Sequence, residues 1–360
     1  MPTPLPAPLD RFLTTHADAL DTEHTTSPAL LQALAAAGQF HKGVPTALGG
    51  DGSPTGEALD AIAAVAERSL AAAFVFWGQR ACIEYLLQSP NQGLRDRWLP
   101  GLLAGAVAGA TGLSNAMKFL SGLEPLQIAA RPAAHGWTLD GQVPWATNLR
   151  PGHFLVAAAV DRADGGGPFI AAIPHDRAGL ARSGDLDLIA LRGTHTAALQ
   201  LHGLPLDDAD VIAPDATAWL PRVRPAFLAL QCGLSIGLAR AGLHAADTLG
   251  SGARPVLATP IAAAREALDA AVAALHAGLA DGRFVGQPVP LFHLRIQLAE
   301  LALDAVQLEL QASGGRAYHR DQPLGFARRW REAAFVPIVT PSLTQLRGEL
   351  AKRAALGPTA

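Results

Sequence analysis

Apolar residues recur along this chain at two periods, and the period changes twice. From about residue 10 to residue 108 the spacing is helical. Ser27 followed by Pro28 reads as an N-cap and first-turn pair opening "ALLQALAAAG", which Gly38 closes. After the loop "VPTALGGDGSPTG", the segments "EALDAIAAVAERSLAAAFVF" and "QRACIEYLL" predict two more helices. From about 109 to 214 the texture is that of strands. "GWTLDGQVPWATN" reads as a strand, an Asp140-Gly141 hairpin turn and a second strand. "HFLVAAAV" and "PFIAAIPH", parted by the glycine turn "DRADGGG", are short apolar strands, and "AALQLHGLPL" is another. Strands this short with no helices between them predict a small β-barrel or sandwich. From about 215 onward helix returns, in long segments with wide apolar faces that suit a four-helix bundle and a subunit interface. "RPAFLALQCGLSIGLARAGLHAADTL" is the first and "LRGELAKRAAL" closes the last. The expected fold is α+β: an N-terminal helical domain (1–108), a middle β domain (109–214) and a C-terminal helical bundle (215–360).

Composition adds limits. With 360 residues, 49% hydrophobic and 16% charged, the chain can bury a large core in two or three units of about 100–200 residues. A net charge of −3 carries no nucleic-acid footprint. Cys82 and Cys232 are the only cysteines, too few for a disulfide framework or a thiolate metal site, and both read as buried, inert thiols. No signal peptide is visible, and the apolar runs read as shorter than the ~20 residues a spanning helix needs. A cytoplasmic protein without a membrane partner is expected.

Several chemistries are missing. No GxGxxG follows a strand, and no GxxxxGK[ST] or GxSxG motif is present. No histidine pair falls at ligand spacing with a carboxylate, so no metal is expected.

Phrases at the joints of the helix–strand–helix order resemble the acyl-CoA dehydrogenases. They are "QALAAAGQFHKGVPTALGGDG", "RDRWLPGLLAGAVAGATGLSN", "HGWTLDGQVPWATNLRPGHFLVAA", "LRGTHTAALQLHGLPLDDADVI", "RVRPAFLALQCGLSIGLARAGL" and "LQASGGRAYHRDQPLGFARRWREAAF". The resemblance spans nearly the whole chain. It implies a flavin, FAD with FMN as the alternative, between the β domain and the C-terminal helices, a small-molecule substrate such as an acyl-CoA thioester, and a homotetramer or homodimer. It also implies roles for named residues. Thr111, Leu113 and Ser114 would meet the pyrimidine edge of the ring. Trp145 would back the ring, with Ala146 beside it, and Thr147 would approach N5. Gln311, Gly314 and Gly315 would meet the ADP portion of a neighbouring subunit's FAD. Ser342 would lie beside the cofactor as well. Read without the resemblance, Trp145 is an ordinary core aromatic, and Gly314-Gly315 simply ends a helix.

The sequence also departs from that family. Acyl-CoA dehydrogenases use a glutamate to remove a weakly acidic α proton. At the usual position this chain has Thr340, in "TPS", and at the minority position, next to Arg224, it has Val223. A threonine hydroxyl is no base at neutral pH, so any catalytic role of Thr340 is doubtful. His195, His319 and Asp321 read as structural or solvated. The acidic flavin loop is replaced by "GLSNAMKFLSGLEPL", in which Lys118 and Glu124 read as solvated. "SGARPVLATP" replaces the pyrophosphate-binding stretch, with Arg254 as substitute. Three functions follow: a flavin-dependent oxidoreductase of the acyl-CoA dehydrogenase type without the usual glutamate, a flavin-dependent monooxygenase of the same fold, or a non-catalytic relative. A monooxygenase needs a dry pocket and a hydrogen-bond donor in place of a carboxylate.

Overall fold

Helices α1 (Ala7–Thr22), α2 (Ser27–Ala36), α3 (Thr55–Ala66), α4 (Leu70–Leu87) and α5 (Gln92–Leu103) open the chain. The computed structural model describes residues 4–24, 27–120, 122, 124–250, 255–319 and 325–356. The side chains of Ser27 and Pro28, expected to cap α2, lie outside the described set. Gly38 takes a left-handed conformation just past α2, as expected of a helix stop. The boundary between α3 and α4 is not where the apolar period places it. The helix breaks at Ser69, whose Oγ accepts from the Ala72 amide (3.2 Å), and then runs unbroken through Gly78. The free amide of Leu70 is taken by the buried carboxylate of Glu332, far along the chain (2.9 Å). A tertiary partner therefore fixes this end. Nearly every residue of α4 is buried, which makes it the axis of the N-terminal helices.

Strands β1 (Ala108–Thr111), β2 (Ile128–Pro132), β3 (Trp137–Ala146), β4 (Phe154–Arg162), β5 (Phe169–Pro174), β6 (Leu180–Arg182), β7 (Ala197–Leu206) and β8 (Val211–Ala213) follow. They form one sheet in the order β6-β7-β3-β2-β4-β5-β8, with β1 parallel to β4. β5 pairs along one edge of β4, while β1 and β2 share its other edge at opposite ends. β4 and β5 are buried on both faces apart from the end of β4, as expected where helices cover one side and the folded sheet the other.

The expected Asp140-Gly141 hairpin is absent. β3 runs straight through it, and the irregularity falls on the neighbouring strand. Between Leu139 and Gly141 β3 advances two residues while β7 steps from Leu204 to Leu201, leaving an extra residue near Gly203. The Asp140 carboxylate accepts from the Gly203 amide (2.8 Å) and pairs with Arg131, so the residues read as a turn stabilise a bulge instead. A second bulge is on β3 itself: from Val143 to Ala146 it advances three residues against two on β7.

Helices α7 (Ala216–Gly250), α8 (Ala258–Ala280), α9 (Pro288–Ser313), α10 (Phe326–Phe335) and α11 (Leu343–Leu356) complete the fold, and a short helix, α6 (Ser114–Leu120), lies between β1 and β2. α7 begins well before Arg224. Asp215 accepts from the Ala218 amide at its start (3.0 Å), and the helix continues through Pro221 and Pro225. α7 packs along α9 and α8, and α3 crosses it at a glycine groove, where a Cβ on Gly237 would stand 2.2 Å from the Ala63 carbonyl. By length and composition α7 could cross a membrane, contrary to the sequence reading, but 83% of its most apolar window is buried inside the protein.

Two outcomes follow from this packing. Gly141 has φ +142°, and a Cβ there would sit 2.1 Å from the Gln127 carbonyl. Gly141→Ala should therefore cost about 1–3 kcal/mol in denaturant unfolding; an unchanged midpoint would contradict the contact. Burial raises the pKa of Cys82 and Cys232 to about 12. Neither thiol should react with a disulfide reagent in mildly alkaline buffer until the protein unfolds, and prompt labelling of the native chain would refute their burial.

Candidate functional site

The bulge on β3 is the origin of the site. By adding a residue between Val143 and Ala146 it turns Trp145 out of the sheet, and the indole is 58% exposed. The core-aromatic reading of Trp145 is thereby excluded. The indole borders a cleft of about 440 Å³ between the strands and α4, the loop before β7, and the turn from α10 to α11. Ile189 (83% exposed) and Ile338 (67%) face the same cleft. Three large apolar side chains left bare around one opening are more than scattered surface residues and make a candidate binding surface.

The inner wall is aromatic. Phe74 and Trp77, on α4, stack with ring centroids 5.5 Å apart and planes within 7°. Phe335 meets Phe74 edge-on at 4.6 Å. Neither α4 ring stands out in the sequence, because an apolar helix buried all round gives no sign that one turn faces a cavity.

The polar groups form a directed chain. Thr194 Oγ1 donates to the Leu191 carbonyl (2.7 Å), using its single proton. It must then accept from Thr196 Oγ1 (2.8 Å), which in turn accepts from Thr147 Oγ1 (2.8 Å). The Thr147 hydroxyl thus donates inward and can offer the cleft only a lone pair. This sharpens the expectation that its hydroxyl or its amide serves a ring nitrogen: any hydrogen donated at this position comes from backbone. Thr194 and Thr196 flank His195 in "RGTHT", where the sequence singled out only the histidine. Thr111, also on the cleft, contacts the buried Tyr85 hydroxyl (2.8 Å), and Ser114 opens α6 beside it.

The charged groups come in pairs. Lys118 and Glu124, read as solvated, are only partly exposed. They form an ion pair (3.1 Å), are half-buried and line the cleft, and Asn115 donates to the same carboxylate (2.9 Å). Helix α6 puts Asn115 and Lys118 on one face, an arrangement the loop reading concealed. Arg331 faces the cleft as well and is held by the fully buried Asp21 (2.6 Å). Among the described residues lining the cleft, Glu124 is the one carboxylate.

The remaining expected residues divide. Thr340 lines the cleft, and its carbonyl accepts from Gln231 Nε2 (3.0 Å). Ala146 lines it too, whereas Leu113 is fully buried in the core and Val223 is buried in α7. Ser342 is used as a cap: its amide donates to Gln345 Oε1 (2.7 Å) and its Oγ accepts from the Gln345 amide (3.2 Å), opening α11. Gln311, Gly314 and Gly315 end α9 outside the cleft, and Gly314 has a positive φ, as the helix-stop reading requires. Asn148 is a structural residue, buried and bonded to Gln79 (2.9 Å). His195 Nδ1 lies 2.9 Å from Asp185, and burial holds its pKa below the usual value against the pull of that carboxylate. His195 and the exposed His319 do not line the cleft, and Arg254 and Asp321 fall outside the described residues. Among the described residues no cluster of histidine, cysteine and carboxylates could hold a metal.

A flavin ring fits these features. It needs a flat apolar seat, polar groups along one edge and exclusion of water, and the cleft offers Trp145, the threonine chain and the aromatic wall.

Comparison with known proteins agrees with this architecture. Residues 8–106 match the family model of the acyl-CoA dehydrogenase N-terminal domain. The glutaryl-coenzyme A dehydrogenase–glutaryl-CoA complex superposes with a TM-score of 0.83 at 18% identity, covering 97% of this chain and 94% of that one. PigA with FAD and proline gives 0.78 at 18% identity over 97% and 94%. Dibenzothiophene monooxygenase TdsC from Paenibacillus sp. A11-2 gives 0.73 at 19% identity over 96% of each chain. No curated protein matches by sequence. At these identities the likeness shows the fold. The chain as a whole has the acyl-CoA dehydrogenase fold, and the family-model match is confined to its N-terminal helices.

Proposed function

We propose that this protein is a flavin-dependent oxidoreductase that binds the isoalloxazine ring in the cleft between Trp145 and the 338–340 turn. The observation that carries the reading is the bulge that exposes Trp145 beside a buried, directed threonine chain. A bound flavin would supply two-electron chemistry at its ring. Trp145 would back the ring, Thr147 would offer it a lone pair, and Ile189 and Ile338 would keep water out. FAD is the cofactor of choice. Its ADP portion would leave the cleft and meet the Gln311–Gly315 turn of a second subunit.

Within this class two reactions compete, and the electrostatics favour oxygen transfer over desaturation of an acyl-CoA. Thr340 and Val223 stand where the resemblance implies the acid, and the one carboxylate among the described residues lining the cleft is bonded to Lys118 and Asn115. Its oxygens are thus engaged and not presented free to a weakly acidic carbon.

Four outcomes are expected. Purified protein should gain a visible flavin absorption band with FAD or FMN; a colourless protein would end both readings. With flavin bound, anaerobic acyl-CoA should leave the band unbleached while dithionite removes it, and bleaching by the thioester would restore the dehydrogenase. Trp145→Ala should weaken flavin binding about three- to tenfold, the value of an aromatic stacking contact, without lowering stability. Thr340→Glu should create or raise acyl-CoA dehydrogenase activity. If it changes neither activity nor the flavin spectrum, the placement of this turn beside the ring is wrong.

A further inference from the structure

Arg295, on α9, has no solvent exposure. Its Nε donates to Gln231 Oε1 (2.9 Å) and one Nη to the Val336 carbonyl (3.0 Å), while the other Nη has no partner. No carboxylate among the described residues pairs with it, and burial pulls its pKa down. Among the described residues the other buried arginines each have an acid: Arg80 has Glu84 and Arg328 has Glu332. A buried guanidinium facing only neutral acceptors is costly. Its position gives the reason for keeping it. Gln231, also fully buried, bridges Arg295 to the Thr340 carbonyl. Val336 and Thr340 belong to the turn between α10 and α11, whose residues 338–340 line the cleft. The other charges at the cleft cancel, Lys118 with Glu124 and Arg331 with Asp21. Among the described residues, Arg295 is the fully buried cation behind this wall without an ion pair; Arg224, beside Lys118 and Pro341 and 5.5 Å over the Phe292 ring, is only partly buried.

We infer that Arg295 is a positioning residue that acts electrostatically. It fixes the turn that carries Thr340 and biases the cleft toward an anionic occupant, the two-electron-reduced flavin. This rests on the flavin reading above. Two electrons and one proton convert the oxidised ring to a reduced monoanion, and that negative charge is what an unpaired guanidinium behind the wall would attract. The oxidised ring is neutral and gains nothing comparable.

The test is a dithionite titration of flavin-loaded protein, which supplies the electrons, against a dye of known potential. Arg295→Met keeps the bulk and removes the charge. It should lower the midpoint potential by about 30 mV or more, a tenfold selective loss of affinity for the reduced form. Arg295→Lys should stay near the wild-type potential. Gln231→Leu keeps the charge but cuts the link to Thr340, so it should weaken both oxidation states alike and leave the potential in place. An unmoved potential in Arg295→Met, with both states weakened equally, would overturn the electrostatic role and leave the flavin reading standing. Wild-type protein that takes up no flavin would overturn both. If Arg295→Met does not fold, the wild type decides: its bound flavin must have a higher potential than free flavin, and an equal or lower value refutes the inference.

Discussion

One buried amide holds the two halves of the cleft together. Gln79, at the centre of α4, has no solvent exposure, and all four of its hydrogen-bonding positions are taken. Its Nε2 donates to the carbonyls of Leu102 and Val107 (2.9 Å each). Its Oε1 accepts from the Gly109 amide (2.6 Å) and from Asn148 Nδ2 (2.9 Å). Asn148 donates its second hydrogen to the Gly109 carbonyl (2.9 Å) and its backbone amide to the Thr194 carbonyl (2.9 Å). The end of α5, the start of β1, the exit of β3 and the loop before β7 all converge here. A satisfied buried network of this kind is specific because leaving any member unpaired costs about 1–3 kcal/mol. It also explains the left-handed backbone of Asn148 (φ 64°), which few residues other than glycine tolerate as well as asparagine. Thr147 and Trp145 sit next to this anchor, so their placement against the helices is inherited from it.

The helix–strand–helix order was legible because it depends on period, which burial imposes on every residue. The errors fall where a tertiary partner overrides a local signal. Asp140-Gly141 has turn chemistry, but the Asp140 carboxylate finds the Gly203 amide and Arg131, and the strand continues. Helix α4 should have begun later by its apolar pattern, yet Ser69 caps it and Glu332 satisfies its first free amide. Ser342, a cofactor contact by the resemblance, is also half of a capping box, a pattern that Gln345 three residues later made readable.

The site was legible in part, for a related reason. Trp145, Thr147, Thr111 and Thr340 come together on one cleft. What no period could reveal is the exposure of Trp145, because a bulge shifts side-chain alternation by one residue and depends on the pairing strand. Phe74 and Trp77 were hidden for the opposite reason. In a helix buried on every side, residues that face a cavity and residues that face the core share one composition.

Among the described residues, the acids at and behind the cleft are all engaged. Glu124 is bonded to Lys118 and Asn115, and Asp21 carries both the Arg331 guanidinium and the Leu191 amide (3.0 Å). The acids near the cleft thus serve to neutralise cations and to hold loops. The threonine chain is equally committed, since its direction ends on the Leu191 carbonyl and leaves Thr147 without a proton to give. The side chains so bound are held in place by bonds the fold itself uses. Such a wall suits a ligand that brings its own reactive group, with the protein supplying shape and position.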